Sequence, residues 1–376
     1  MINLFQPQVG EDELAAVGDV FASAWLGAGA RLTEFERAFA EHLHRPAEEV
    51  LSVASCTEGL FQVFAALGFG PGDEVVLPTV SFLGAAHAVR STGARVVLCD
   101  VDPVTLNPTV EHIERVLTSR TKAVAVLHYG GRPGEVADIA ELTRRRSILL
   151  VEDAACGLGA TATGHPCGTL GDVGVWSFDA MKTVTAGDGG MIWSRDPELA
   201  ERLRAAIRLG VGSSGFSRRA SGTRWWEIDP DTLGRRGTMN DIAAAIGLVQ
   251  LRRLPEFLLR RAEVAARYEE AFATLPWISF PHPPDPAAAR TFWWLQTDPQ
   301  HRDRLAAHLL AHGIYATFRY WPLHAMRMYR DDRDYPGADR AAATTLLLPL
   351  HPALSDADVD RIVNEVRAFD PAIVSR

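Results

Sequence analysis

Lys182 is one of two lysines in a chain that holds 38 basic residues, the other being Lys122. It lies in SFDAMKTVTAGDGG, between an apolar run and the glycine-rich turn Gly187-Asp188-Gly189-Gly190. Desolvation there would lower its pKa and make it a usable amine nucleophile; an exposed loop lysine is the ordinary alternative. Asp153 closes the apolar run ILLVEDAA. A carboxylate in that position needs a partner, because an unpaired buried charge is costly. It could equally be a structural ion pair, a helix cap, or part of a phosphate or metal site. Ser55, Cys56 and Thr57 stand where a strand turns into a helix. The first amides of a helix are a ready anion site, although plain N-capping by Ser or Thr is common. Phe82 follows another strand end and could stack on a planar ring or belong to the core.

The elements that must carry these residues alternate. Strands are expected at 74–78, 94–102, 122–130 and 147–154, with helices at 82–92, 109–119 and 134–144 between them. Two more strands are expected at 173–180 and 189–195. Apolar residues on both strand faces predict a mostly parallel sheet sandwiched by helices, an α/β core. Ligands of such sheets bind beyond the carboxyl ends of the strands. That edge gathers Asp100, Asp102, His128, Tyr129, Glu152, Asp153, Ser177 and Lys182. Helices are also expected at 11–24 and 33–44, the second opened by a Thr33/Glu36 capping box. Residues 241–275 read as long helical sequence, followed by a Pro-rich turn at 281–286 and a mixed α+β segment. The expected division is a large domain over 1–250 and a small C-terminal α+β domain over 251–376. The N-terminal segment is expected to pack with the small one.

Bulk properties exclude several classes. A net charge of −9 disfavours a nucleic-acid partner. No run approaches the ~20 apolar residues of a membrane helix, and the N-terminus lacks the pattern of a secretory signal. Cys56, Cys99, Cys156 and Cys167 show no metal-ligand spacing. Reduced thiols in a cytoplasm fit them best, and no metal is expected.

Taken in order, the stretches SCTEGL (55–60), PGDEVVLPTVSF (71–82), VVLCDVDP (96–103), HYGG (128–131), VEDAACGLGA (151–160), WSFDAMKTVTAGDGGMI (176–192), AAAIGLVQL (243–251) and FRYWPLH (318–324) resemble the DegT/StrS family of sugar aminotransferases. This is a fold-type I family dependent on pyridoxal 5'-phosphate (PLP). The resemblance spans nearly the whole chain. It implies that Lys182 holds the Schiff-base position and that Asp153 pairs with the pyridinium nitrogen. It further implies that Phe82 stacks on the ring and that Cys56, Thr57 and Ser177 bind phosphate. Two positions depart from the family pattern. Cys156 stands where Gln or His is usual against the cofactor's phenolic oxygen, and a thiol is a weaker partner. In GRRGTM (234–239), Arg236 takes the place of an Asn that reaches the phosphate from the neighbouring subunit.

The retained Lys182 speaks for transamination, since relatives with His there are dehydratases. An aminodehydroxybenzoate synthase or a non-catalytic regulator stays open; a Rossmann oxidoreductase ranks last, with no G-x-G-x-x-G after a strand. The expected substrates are L-glutamate and a nucleotide-linked keto-deoxysugar, dTDP-4-keto-6-deoxyglucose aminated at C4. A C3-keto sugar or a cyclitol ketone is the alternative. Phe292, Trp293, Arg319, Tyr320, Trp321 and His324 are candidate groove residues, with Arg319, Tyr320 and His324 nearest the substrate. A homodimer with shared active sites is expected.

Overall fold

The structure is a computed structural model, and it describes all residues except 212–223, 225, 231, 282–284 and 373–376. Part of the expected Pro-rich turn therefore lies outside the described residues. Helices α1 (Glu11–Ala22) and α2 (Ala30–Leu43) precede strand β1 (Val50–Val53) and helix α3 (Cys56–Ala66). The alternation then runs β2 (Glu74–Pro78), α4 (Leu83–Ser91), β3 (Arg95–Cys99), α5 (Val110–Glu114), β4 (Thr121–Leu127), α6 (Val136–Arg146) and β5 (Leu149–Asp153). A short hairpin, β6 (Thr161–Ala162) and β7 (His165–Pro166), leads to β8 (Val173–Ser177), β9 (Gly190–Ser194) and α7 (Pro197–Ala206).

These strands form a seven-stranded sheet in the order β1-β9-β8-β5-β4-β2-β3. The β2·β3, β2·β4, β4·β5 and β5·β8 pairs are parallel, while β9 runs antiparallel to both β1 and β8. Strands β2, β8 and β9 are buried along their whole length, as expected of strands covered on both faces. The mostly parallel α/β sandwich read from the sequence is present.

One expectation is corrected. The capping box at Thr33 does not form, because α2 begins at Ala30 with Gly29 as its N-cap. Its open amides are taken instead by Asp241, whose carboxylate accepts from Gly29 N (2.8 Å), Leu32 N (3.0 Å) and Arg31 N (3.2 Å). An anion at a helix N-terminus is doubly favoured, by hydrogen bonds and by the dipole. Glu36 is thereby free to accept from Ser52 N and Oγ, both at 2.8 Å. The helical stretch read over 241–275 is present as two helices, α8 (Asp241–Arg252) and α9 (Leu254–Phe272), broken where Pro255 enters the first turn of α9.

The remaining elements are β10 (Trp293–Gln296), α10 (Pro299–Ala311), α11 (Pro336–Thr344), β11 (Thr345–Leu348) and α12 (Asp356–Ala368). β10 and β11 pair antiparallel. They share a core with Val264, Tyr268 and Phe272 of α9, with Leu305 and Leu309 of α10, and with Val359, Ile362 and Val366 of α12. Ile2 joins this core and bridges to Ile314. Among the described residues no helix is long and apolar enough to cross a membrane.

Candidate active site

The parallel register carries the ends of β4, β5 and β8 to one edge of the sheet. Antiparallel β9 begins there, with Gly190 opposite Ser177 and Val53. An added Cβ at Gly190 would lie 2.7 Å from Cys56 N and 2.8 Å from Trp176 O, so only glycine lets these backbones meet. Ser55 caps α3, its hydroxyl accepting from Glu58 N at 3.1 Å. The first-turn amides of Cys56 and Thr57 have no acceptor within a helix that starts there.

A cavity of about 260 Å³ opens at this edge. Its lining includes Ser55, Cys56, Thr57, Phe82, Asp153, Ser177, Lys182, Arg319 and Tyr320. Residues from five separate segments of the sequence thus meet in one place. Asp153 is almost wholly buried, and among the described residues both hydrogen bonds to its carboxylate fall on Oδ1: Ala155 N donates at 3.1 Å and the Cys56 thiol at 4.0 Å. That leaves Oδ2 for a donor that a ligand brings. Burial raises the Asp153 carboxyl, against the lowering pull of Ala155 N, Lys182 and His128. Burial likewise pushes the Cys56 thiol well up, helped by Asp153.

Lys182 Nζ donates to Cys156 Sγ at 3.7 Å. Burial pulls this amine down, as expected, but the surrounding acidic groups Cys156, Tyr320, Cys56 and Asp153 outweigh it and raise its pKa. That direction is opposite to the depressed amine expected from burial alone. Phe82 closes one wall, partly exposed, with its ring 5.6 Å from that of Tyr320. Arg319, joined to Tyr320 by a cis peptide bond, lies over the Phe5 ring.

Other candidates fall elsewhere. His324 does not line the cavity. Its Nδ1 meets Thr79 Oγ1 at 2.7 Å, its Nε2 meets Asp339 at 3.0 Å, and its ring stacks on Tyr335. Both ring nitrogens are therefore occupied, and the histidine ties the α11 segment to the end of β2. Phe292 and Trp293 are core residues, whereas Trp321 is exposed. Arg236 is exposed on a segment bridged to Arg208, away from this chain's own cavity lining. Cys156 is buried behind Lys182. Asp100 accepts from Gly337 N and Ala338 N at 2.8 Å each and so caps α11, which removes it from the chemistry. Asp179 and Asp188 also line the cavity; carboxylates in loops are too common to carry a role from the sequence alone.

The cavity fits PLP group by group. The α3 amides and the Ser55 and Thr57 hydroxyls suit a dianionic phosphate. Oδ2 of Asp153 suits a protonated ring nitrogen, the Phe82 ring suits a π-face, and Lys182 suits an aldehyde. The comparisons agree. The sequence matches the DegT/DnrJ/EryC1/StrS aminotransferase family over residues 7–367. It is 47% identical, over 97% of its length and 96% of the other chain, to a dTDP-4-dehydro-2,3,6-trideoxy-D-glucose 4-aminotransferase of Saccharopolyspora spinosa. The fold superposes on the aminotransferase TlmJ of Streptoalloteichus hindustanus with a TM-score of 0.93, 54% identity and 98% of each chain covered. It superposes on the PMP form of the sugar aminotransferase Spr1654 of Streptococcus pneumoniae with a TM-score of 0.88 and 27% identity, covering 97% and 98% of the two chains. A PLP form of that protein matches as well. The chain belongs to the DegT/DnrJ/EryC1/StrS family and is a PLP-dependent aminotransferase.

Proposed function

We propose that the enzyme transfers the amino group of L-glutamate to C4 of a dTDP-linked 4-keto-6-deoxyhexose. The observation that carries the substrate is the 47% identity, across almost the full length of both chains, with a 4-aminotransferase acting on a 4-dehydro-2,3,6-trideoxy sugar. PLP when bound supplies the electron sink and carries the amino group between the two substrates. The chain's residues supply the rest. The α3 N-terminus would bind the phosphate, and Oδ2 of Asp153 would hold a proton on the ring nitrogen. Lys182 Nζ would attach the cofactor and would move the proton at the reacting carbon. Arg319 and Tyr320, which line the cavity, would orient the sugar nucleotide.

Two proposals accompany this reading. The enzyme works as a homodimer in which Arg236 reaches the partner's phosphate; the exposure of Arg236 away from its own cavity supports this. Four free, buried cysteines suit a reducing compartment, and we place the enzyme in the cytoplasm. The test is NMR analysis of the product formed from dTDP-4-keto-6-deoxyglucose, and from its 2,3-dideoxy counterpart, with glutamate and PLP. A C4 amine from either supports the reading. No amine from either, or amination of a C3-keto sugar or a free cyclitol ketone alone, overturns it.

A further inference from the structure

Outside the cavity, His308 and His312 stand four residues apart at the end of α10, so both imidazoles share one face. Their ring centroids are 4.4 Å apart. Glu365 of α12 reaches across to them. Its Oε2 lies 3.4 Å from His308 Nε2 and 3.7 Å from His312 Nδ1. One ligand atom from each of the three residues falls within 4.8 Å of the others. Two atoms each bound to a tetrahedral zinc ion at ~2.0–2.1 Å lie about 3.4 Å apart. The two histidine–carboxylate edges already have nearly that length, and only the histidine–histidine edge needs to shorten.

We propose that His308, His312 and Glu365 form a binding site for a divalent transition-metal ion. Two imidazoles and one carboxylate suit Zn²⁺, with the fourth position left to water. The site is partly exposed, so an ion has direct access, and it joins two helices of the second core. Three features preset it. The His308 ring packs edge-on against Phe369, Arg361 holds the carbonyl of His312, and Leu305 and Leu309 anchor the same helix in the core. Two contacts are exchanged on binding. His308 Nε2 gives up the Glu365 carbonyl at 3.1 Å, and His312 Nδ1 gives up the His308 carbonyl at 2.8 Å. Each ring then presents a lone pair to the ion. None of the three residues lines the Lys182 cavity, so the ion clamps α10 to α12 and takes no part in transamination.

The test is calorimetric titration of the tag-free, PLP-loaded enzyme, stripped with EDTA and dialysed, with ZnCl₂. One Zn²⁺ per chain is expected, and a rise in melting temperature that EDTA reverses, since an ion bound only by the folded chain stabilises it. His312→Ala and Glu365→Gln should each weaken binding at least about tenfold, with turnover and the metal-free melting temperature unchanged. His308→Ala serves as a third variant, read only if its circular dichroism matches the parent. Absence of a zinc-dependent heat, or binding of equal strength in His312→Ala and Glu365→Gln, overturns the proposal.

Discussion

Glu152 and Asp153 are neighbours at the end of one strand, both carboxylates and both almost wholly buried. The pleat sends them to opposite faces, and there their surroundings diverge. Glu152 accepts from Gly168 N (2.7 Å), Leu170 N (2.7 Å), Gly171 N (2.6 Å) and His128 Nε2 (2.9 Å). Burial works against a charged His128, but Cys167 and Glu152 outweigh it and raise the imidazole well above its usual range. The result is a closed ion pair that pins the loop before β8. Asp153 has one good donor, one weak thiol and an open oxygen facing a cavity. The two sites are alike in burial and in the chemistry of the side chain. They differ in unused hydrogen-bonding capacity, and that capacity marks the one that meets a ligand.

The largest expected effect tests the open side. Lys182→Ala should lower transamination by at least about 10⁴-fold, through loss of both attachment and proton transfer, while the fold persists. Borohydride reduction of the holoenzyme followed by peptide mass analysis should label Lys182 alone. Label on another residue breaks the assignment.

Asp153→Asn should lower turnover by about 10²–10³-fold, the size of one lost preorganised electrostatic contact. The contrast sharpens in the stability of the cofactor-free protein. The folded-state pKa of Asp153 is raised. The folded chain thus holds that proton to higher pH than the unfolded chain, and stability is lost as pH rises through the interval. Asn has no proton to lose. The variant should melt at or above the parent at neutral pH, and a clearly lower melting point would show that Asp153 is structural after all.

Glu152→Gln should do the reverse. Breaking a buried pair leaves His128 with an uncompensated charge and costs about 3–5 kcal/mol of stability. This would be read as a shift of the denaturation midpoint, while turnover per folded molecule stays near that of the parent. A large loss of turnover at full folding would erase the distinction between the two carboxylates.

The smallest effect concerns the cap on α2. Asp241→Ala should cost about 1–2 kcal/mol, whereas Thr33→Ala should stay within about 0.5 kcal/mol because Thr33 is no cap. Equal losses at both positions would restore the local capping box.

The sheet was legible because its signals are local. EVVLP is a strand at 74–78 as read, and the strand ends brought Asp153, Ser177 and Lys182 to one cavity. What failed to read depends on distant partners. Thr33 and Glu36 have the right spacing for a capping box, but Asp241 arrives from more than 200 residues away and takes the amides. His324 is polar and follows an aromatic run, yet Thr79 and Asp339 use both of its nitrogens. Burial does pull the Lys182 amine down, as read, but it is outweighed by neighbours that only the fold assembles. The break between α8 and α9 was within reach, since Pro255 announces it.

The grip of Asp241 on α2 also sets an order of events during synthesis. The start of α2 is complete only when a residue 212 positions beyond Gly29 has left the ribosome. Strand β1 likewise waits for β9, since most of the sheet's own sequence lies between Val50 and its partner Trp193. Closing such long loops is slow. The nascent chain therefore carries an apolar helix face, Phe35 and Phe39 included, with nothing yet made to cover it. For that interval the N-terminal fifth of the chain exposes apolar surface that only later-made residues bury.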